Sequence, residues 1–395
     1  MIWNRLRTLI ANSLATSLIV ASTAVQAQQV VTLTPMSNLK TVLNSVRPGD
    51  TLRVTGNFTA PLVLRNRDFG NLVVDASGAV FQAGINLNGV HNISFVGGTY
   101  GRSDSELAAH HTVRVDNSSH VSFADLNVIG NGDSRGNGLL VATSRFVTVR
   151  DNQFSSHMTG LSVRSSADVL VTRNRITGST ADGINIADNQ RVIVSHNSCS
   201  GFLPGIGAHP DCIQLWSRSG GPLQSDIFVL NNSAIGTMQA FLSSDPKTGS
   251  GTRLTFAGNY AAVTYTHTLT CGNCTNSIFF DNVLSNLPGA RNGPGSLKIG
   301  PSPTNSVGFN PLFDLRGRTD GWLPVPLWTS FVPDIAGQVG SQWDYRGFGA
   351  QISQSGIEPS AGAVPEPASW LMLGIGFATV GRQLRRRRYP RLVMA

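Results

Sequence analysis

The sequence predicts an all-β chain wound as a right-handed parallel β-helix, a solenoid with a short N-terminal capping helix. Two observations carry this. Short segments of one grammar recur along the chain: an alternating strand, a tight polar turn, a second alternating strand, and then Asn. Their first apolar residues, Ile85, Val113, Leu139, Leu161, Ile184, Ile213, Phe241 and Leu269, follow one another at intervals of 22 to 29 residues. Alternation of period two buries one face of each strand. A single repeat cannot bury that face alone, whereas stacked coils can. A propeller blade needs about 40 residues and four strands, more than these segments supply.

The elements follow in order. Residues 1–27 begin with Arg5 and Arg7, continue with an apolar run over 9–24, and end in Val25-Gln26-Ala27. That is the pattern of a signal peptide cut by signal peptidase after Ala27. Ser37 is placed to cap a short helix with Met36, Leu39, Leu43 and Val46 on one side, stopped at Arg47-Pro48-Gly49. This helix would plug the N-terminal end of the stack, whose first coil otherwise exposes a strand edge. The solenoid with its cap is expected over residues 28–300. Within it Asn152, Asn174, Asn197, Asn232, Asn259 and Asn282 recur at the same point after the second strand. Asn tolerates left-handed turns and can bond to the coils above and below, so these predict a structural ladder. Residues 301–363, rich in Pro, Gly and Trp without a repeat, are expected to form a C-terminal cap and linker. Residues 364–395 hold Val364-Pro365-Glu366-Pro367, a short apolar run to Val380, and Arg382 with Arg385, Arg386, Arg387 and Arg388. The run is short for a permanent span, and the arginines would keep the extreme end in the cytoplasm. A transient membrane insertion is expected.

The termini explain the charge. The formal net charge is +8; Arg5 and Arg7 leave with the first segment, and six arginines and Glu366 with the last, so the body carries about +1. The basic balance is therefore no argument for a nucleic-acid partner. Four cysteines suit an exported chain. Cys271-Gly-Asn-Cys274 reads as a disulfide, a redox motif or half a zinc site, and Cys199 and Cys212 are candidates for a second bridge. Spacing leaves three connectivities open.

The candidate chemistry lies where the coils align. The residue two before each first apolar position forms a column: His111, Asn137, Thr159, Asp182, Asp211, Gln239 and His267. Neighbouring coils are about 4.8 Å apart, so Asp182 and Asp211 bring two carboxyls together. They cannot both ionise without cost, and one pKa should rise, which provides an acid and a base at one pH. His209 is a further acid or base candidate. Asn185, Gln214 and Trp216 point outward from the same strands. Trp216, beside the small Ala187, makes a sugar-stacking platform. Arg164, Lys247 and Arg253 are candidates for neutralising a carboxylate on a substrate. No cofactor is firmly implied, although a pair of acids is also a thin candidate for Ca²⁺. The bland reading is that Asp before Gly only bonds backbone N–H groups at a turn.

The repeat segments over about residues 37–300 resemble the pectin-lyase-like superfamily. Within it, "TADGI" at 180–184 and "PDCI" at 210–213 resemble the Asn-Thr-Asp-Gly and Asp-Asp-Cys-Ile motifs of polygalacturonases, and Asp182 and Asp211 match two family acids. Pro210 stands where that family has its proton donor, and its Gly-His-Gly and Arg-Ile-Lys motifs have no counterpart here. The resemblance implies a polysaccharide partner, with lyase, glycoside hydrolase or epimerase chemistry on an acidic polymer. The alternative is a non-catalytic protein that binds or builds extracellular matrix. The Pro-Glu-Pro, apolar run and arginine cluster resemble the PEP-CTERM sorting signal of Gram-negative bacteria. This implies that an exosortase cuts near Pro365–Pro367 and delivers the body to the cell surface or extracellular matrix. A simple C-terminal membrane anchor is the other reading.

Overall fold

The computed structural model describes residues 28–101, 111–132, 136–205, 207–218, 221–243, 251–265, 267–290 and 295–318. The expected signal peptide, Lys247 and the sorting segment lie outside the described residues. No helix among the described residues is long and apolar enough to cross a membrane.

All strand pairings are parallel and run from coil to coil. The predicted first residues form one column in register: Ile85, Val113, Leu139, Leu161, Ile184, Ile213, Phe241 and Leu269 are successive partners. The column extends one coil further at each end, to Leu62 and Leu297. A second column runs through Leu72, Ile93, Val121, Val147, Val169, Val192, Ile227 and Leu254. A third, of shorter strands, runs from Phe81 and Tyr100 through Val128, Phe154, Ile176 and Cys199 to Leu284 and Leu312. Inward side chains of the three columns form one continuous apolar core. Like stacks on like along the axis: Phe58, Phe81 and Tyr100 lie with centroids 5.1 and 5.0 Å apart, and Phe95 stacks on Phe123 at 5.5 Å. These offsets are favourable for aromatic pairs.

The asparagine ladder is present and regular. Asn152 Oδ1 accepts the Leu126 backbone N–H at 2.9 Å; each later Asn Oδ1 accepts both the backbone N–H and the Nδ2–H of the Asn one coil earlier, as Asn197 does from Asn174 at 2.9 Å each. Each Nδ2 also donates to a carbonyl of the previous coil, Asn197 to Val171 at 3.0 Å. The ladder continues through Asn232, Asn259 and Asn282 to Asn310. The left-handed residue, however, is the one before each ladder Asn. Asp151, Arg173, His196, Asn231 and Asp281 have φ of 53 to 59°. The corner turns at that residue, which leaves the Asn side chain free to point inward.

The capping helix is Leu39–Ser45, and its partly buried Leu39, Val42 and Leu43 pack on the first coils. Its start differs from the sequence reading. Asn38 is the N-cap, accepting from the Thr41 N–H at 3.0 Å, while the Ser37 hydroxyl accepts from Thr34 in the preceding turn. Met36 is 94% exposed, and Val42 takes its place on the apolar side. Cys199–Cys212 and Cys271–Cys274 form the two disulfides. Beyond residue 300, Ser306–Val307 and Leu312–Asp314 still pair onto the stack, so a coil occupies the start of the segment expected to be a cap.

Candidate functional site

The corner from the third column into the first positions the acids. Gly183 N–H donates to the Asp211 carbonyl at 2.7 Å, and Gln239 N–H donates to the Pro210 carbonyl at 2.7 Å. The corner is tight: a Cβ on Gly183 would lie 2.6 Å from the Cys212 oxygen and 2.7 Å from the Cys199 sulfur. Only glycine fits there. Asp182 and Asp211 flank this corner on adjacent coils, joined by a bond from the Asp211 backbone to the Asp182 carboxyl. Asp211 and Gln239 are direct register partners, as the column predicts.

The two acids have different surroundings. Asp182 Oδ1 accepts the Asp211 backbone N–H at 3.2 Å, and Oδ2 accepts from Asn185 Nδ2 at 3.1 Å. Burial pushes its pKa up, against those two bonds. Asp211 is fully buried, and neither carboxyl oxygen has a hydrogen-bond partner. Its nearest counter-charge is His209, with Nδ1 3.7 Å from Oδ2. That is an ion-pair distance, too long for a hydrogen bond. Burial pushes Asp211 up to about 7; His209 opposes this, and the Asp182 charge adds to it. The His209 side chain is 68% exposed. The Asp211 carboxylate beside it raises its pKa to about 9. At neutral pH the imidazole is therefore charged, with Nδ1 toward Asp211 and Nε2 left for a ligand.

Asn185, Gln214 and Trp216 form one network with the acids. Asn185 and Gln214 are register partners, as are Ala187 and Trp216. Asn185 Nδ2 also donates to Gln214 Oε1 at 2.8 Å, and the Trp216 indole N–H donates to Asn185 Oδ1 at 2.8 Å. The indole is thus fixed by its polar edge beside a small residue. Arg164, register partner of Ala187, lies on the same outward face, and its Nε donates to Ser162 Oγ at 3.1 Å. The structure therefore brings together Asp182, His209, Asp211, Asn185, Gln214, Trp216 and Arg164.

Arg253 is placed elsewhere. It lies within Gly251–Ala257, a strand of the second column, and is held by Asp226 at 2.6 and 2.8 Å. Its pairing repeats that of Arg191 with Asp168 on earlier coils. Two residues not singled out in the sequence join the site. Gln239, buried beside Asp211, has an Oε1 without a partner; its place in the polar column was the available signal. Arg218 follows Trp216 into a turn, where strand periodicity says nothing about direction. Among the described residues no group of three or more His, Cys, Asp or Glu gathers as a metal site.

The chain matches the family described as "Right handed beta helix region" over residues 111–288 and the "PEP-CTERM protein-sorting motif" over residues 363–388. The second match marks the protein for export and surface sorting by an exosortase. No curated protein matches the chain. Among solved structures it is similar to an alginate lyase from Paenibacillus sp. str. FPU-7, with a TM-score of 0.44 and 14% identity, covering 73% of this chain and 99% of that one. It is also similar to pectate lyase Pel9A, with a TM-score of 0.44 and 11% identity, covering 70% and 79%. The Dettilon tailspike protein has a TM-score of 0.40 and 11% identity, covering 70% and 68%.

Proposed function

We propose that this right-handed parallel β-helix, sorted to the cell surface through its PEP-CTERM motif, binds and cleaves an acidic polysaccharide on the outward face of the first strand column. The observation that carries the reading is Asp211, a fully buried carboxyl with neither oxygen hydrogen-bonded. Burying such a group costs free energy, and a structural Asp would be expected to bond backbone N–H groups. Its one evident effect is to hold His209 protonated.

His209 is then the proton donor, adjacent to the position where the resemblance puts an acid and this chain has Pro210. In the step proposed, Nε2–H of the imidazolium protonates the glycosidic oxygen as its bond to the anomeric carbon breaks. A water adds to that carbon and gives its proton to Asp182. Trp216 supplies the stacking surface, with Asn185 and Gln214 at its polar edge. A raised His pKa suits a donor better than the base of a β-elimination, which favours hydrolysis over lyase chemistry. Bound Ca²⁺ at Asp182 and Asp211 would compete with protonation of the pair.

A second reading has its own support. The Asp182 carboxylate is engaged by a backbone N–H and an amide, which suits a rigid face that binds polymer without cleaving it. Incubation with pectate, alginate, glycosaminoglycan and bacterial exopolysaccharides, following ultraviolet absorbance and reducing ends together, tests both. Reducing ends without absorbance are expected. Absorbance rising with them means elimination and removes the donor role from His209. Silence in both channels with polymer retained, and no epimerisation by NMR, leaves the binding reading.

A further inference from the structure

The far end of the same outward face carries two arginines that the acid–base chemistry does not use. Arg218 lies just after Trp216. Its backbone N–H donates to Asp188 Oδ1 at 2.7 Å, its Nε pairs with Asp188 Oδ2, and its Nη2 donates to Ser165 Oγ at 2.8 Å. The Asp188 side chain is fully buried, while that of Arg218 is 58% exposed. One edge of this guanidinium is thus clamped across neighbouring coils and the other faces solvent.

Arg164 differs. Its one hydrogen bond is to Ser162, and no carboxylate lies within ion-pair distance among the described residues. Partial burial of its guanidinium, followed by the charge of Arg218, lowers its pKa. Arg218 reaches Ser165, the residue next to Arg164, so the two cations share one end of the face, and Asp188 there is spent on Arg218. Like charges fixed together on a partly covered surface are destabilising unless an anion joins them. Four other arginines of this solenoid share acids, Arg173 and Arg150 with Asp151, and Arg191 and Arg145 with Asp168; what sets Arg164 apart is its place beside a second arginine on the face that carries Trp216.

We propose that Arg164 and Arg218 form an anion subsite that receives a carboxylate or sulfate group of the bound polysaccharide, remote from the reacting bond. Strand Ile184–Ala187 runs from the acid corner to the Arg164 end of the face, a length of ~10 Å. Trp216, on the register of Ala187, lies beside the pair. The polymer would lie along the strands, with its anionic group on the arginines and the reacting bond at His209. Selectivity for charged polymer would thus be set away from the chemistry. This rests on the outward face of the first column being the saccharide-binding face.

Binding of the whole secreted protein to polygalacturonate, to carboxyl-reduced polygalacturonate and to dextran sulfate tests it, by affinity electrophoresis at low and high salt. Wild type is expected to bind the charged polymers more tightly than the reduced one. Arg164→Gln should weaken binding of charged polymer roughly tenfold, the worth of one charge-assisted contact, and leave the reduced polymer unaffected. Arg218→Gln leaves Asp188 buried and unpaired, so Arg218→Lys is the second variant; it keeps the charge but not the fork and should lose part of the discrimination. A fall with polygalacturonate alone identifies carboxylate as the group; a fall with dextran sulfate alone identifies sulfate. Equal binding of charged and reduced polymer by wild type, or an unchanged preference in Arg164→Gln, overturns the subsite. The Asp182→Asn/Asp211→Asn double variant separates the two ideas: charge-dependent binding with no turnover in either protein removes the cleavage reading and keeps the subsite.

Discussion

Asp211 costs the fold something that an amide would not. In the unfolded chain it titrates near 3.8 and in the fold at about 7. The folded state therefore holds the extra proton between those values. The stability this group contributes is complete below pH 3.8 and is lost as the pH rises through 7. His209 extends the same slope, because its pKa rises from 6.5 to about 9 and its contribution is lost as the pH passes 9. Asp211→Asn should remove this slope, the His209 part with it because Asp211 is the main cause of that shift, and raise the melting temperature at pH 8, while turnover at pH 8 falls at least tenfold as the histidine loses its proton. Thermal unfolding from pH 4 to 9 beside an activity assay checks both. If His209 is the donor, turnover falls above about pH 9 as the imidazole deprotonates, and falls on the acid side as Asp182, the base, takes a proton, at a pH above the ordinary carboxylate range because burial raises its pKa. In Asp211→Asn the upper limb should shift toward 6.5, the ordinary value for histidine. A pH profile that ignores the substitution would remove the coupling. The column position made Asp182 and Asp211 legible as neighbours. Their unequal bonding was not, because it depends on which carboxyl meets the backbone N–H of the next coil.

The asparagine ladder is a set of bonds in series, and its cost of failure depends on position. Asn197→Ala leaves the Asn174 N–H and Nδ2–H buried without their acceptor, a loss of about 2–5 kcal/mol. Asn310→Ala lies at the partly exposed end, where water can replace the bond, and should cost less than about 2 kcal/mol. Urea unfolding of the two variants measures the gap. The Cys199–Cys212 bridge closes the loop that bears His209. Removing it with a Cys199→Ser/Cys212→Ser pair should cost about 3 kcal/mol by loop entropy and should lower activity further through the looser histidine. Eight first-strand residues were legible because each begins an alternating strand. The coils of Leu62 and Leu297 were not. In Leu62–Phe81 the polar stretch at 65–71 is longer than in the later repeats and shifts the register between Asp68 and Leu72, and after Leu297–Ile299 the alternation ends at Pro301 and Pro303. The helix start was missed by one residue because Ser37 and Asn38 can both cap, and the preceding turn claims Ser37.

At the scale of the whole molecule, most of the basic charge lies at the two ends and little of it on the body. Deleting residues 364–388, which hold the sorting motif, should move the protein from the surface fraction into the medium without changing its unfolding curve; cell fractionation with an immunoblot reads this. Retention at the surface would mean another anchor. The coils also differ in length, yet from Val113 onward their strand registers do not shift. The extra residues of the longer coils fall at corners, such as the segment between Ser200 and Asp211, while ladder and core stay in step. The coil is consequently a unit of inheritance as well as of architecture. A tandem duplication of one coil in the gene would preserve every contact made along the axis and add one more rung. A duplication of half a coil would misalign every strand beyond it. Lineages of this protein can thus lengthen in whole coils and vary freely at corners, with the acid pair confined to two adjacent rungs.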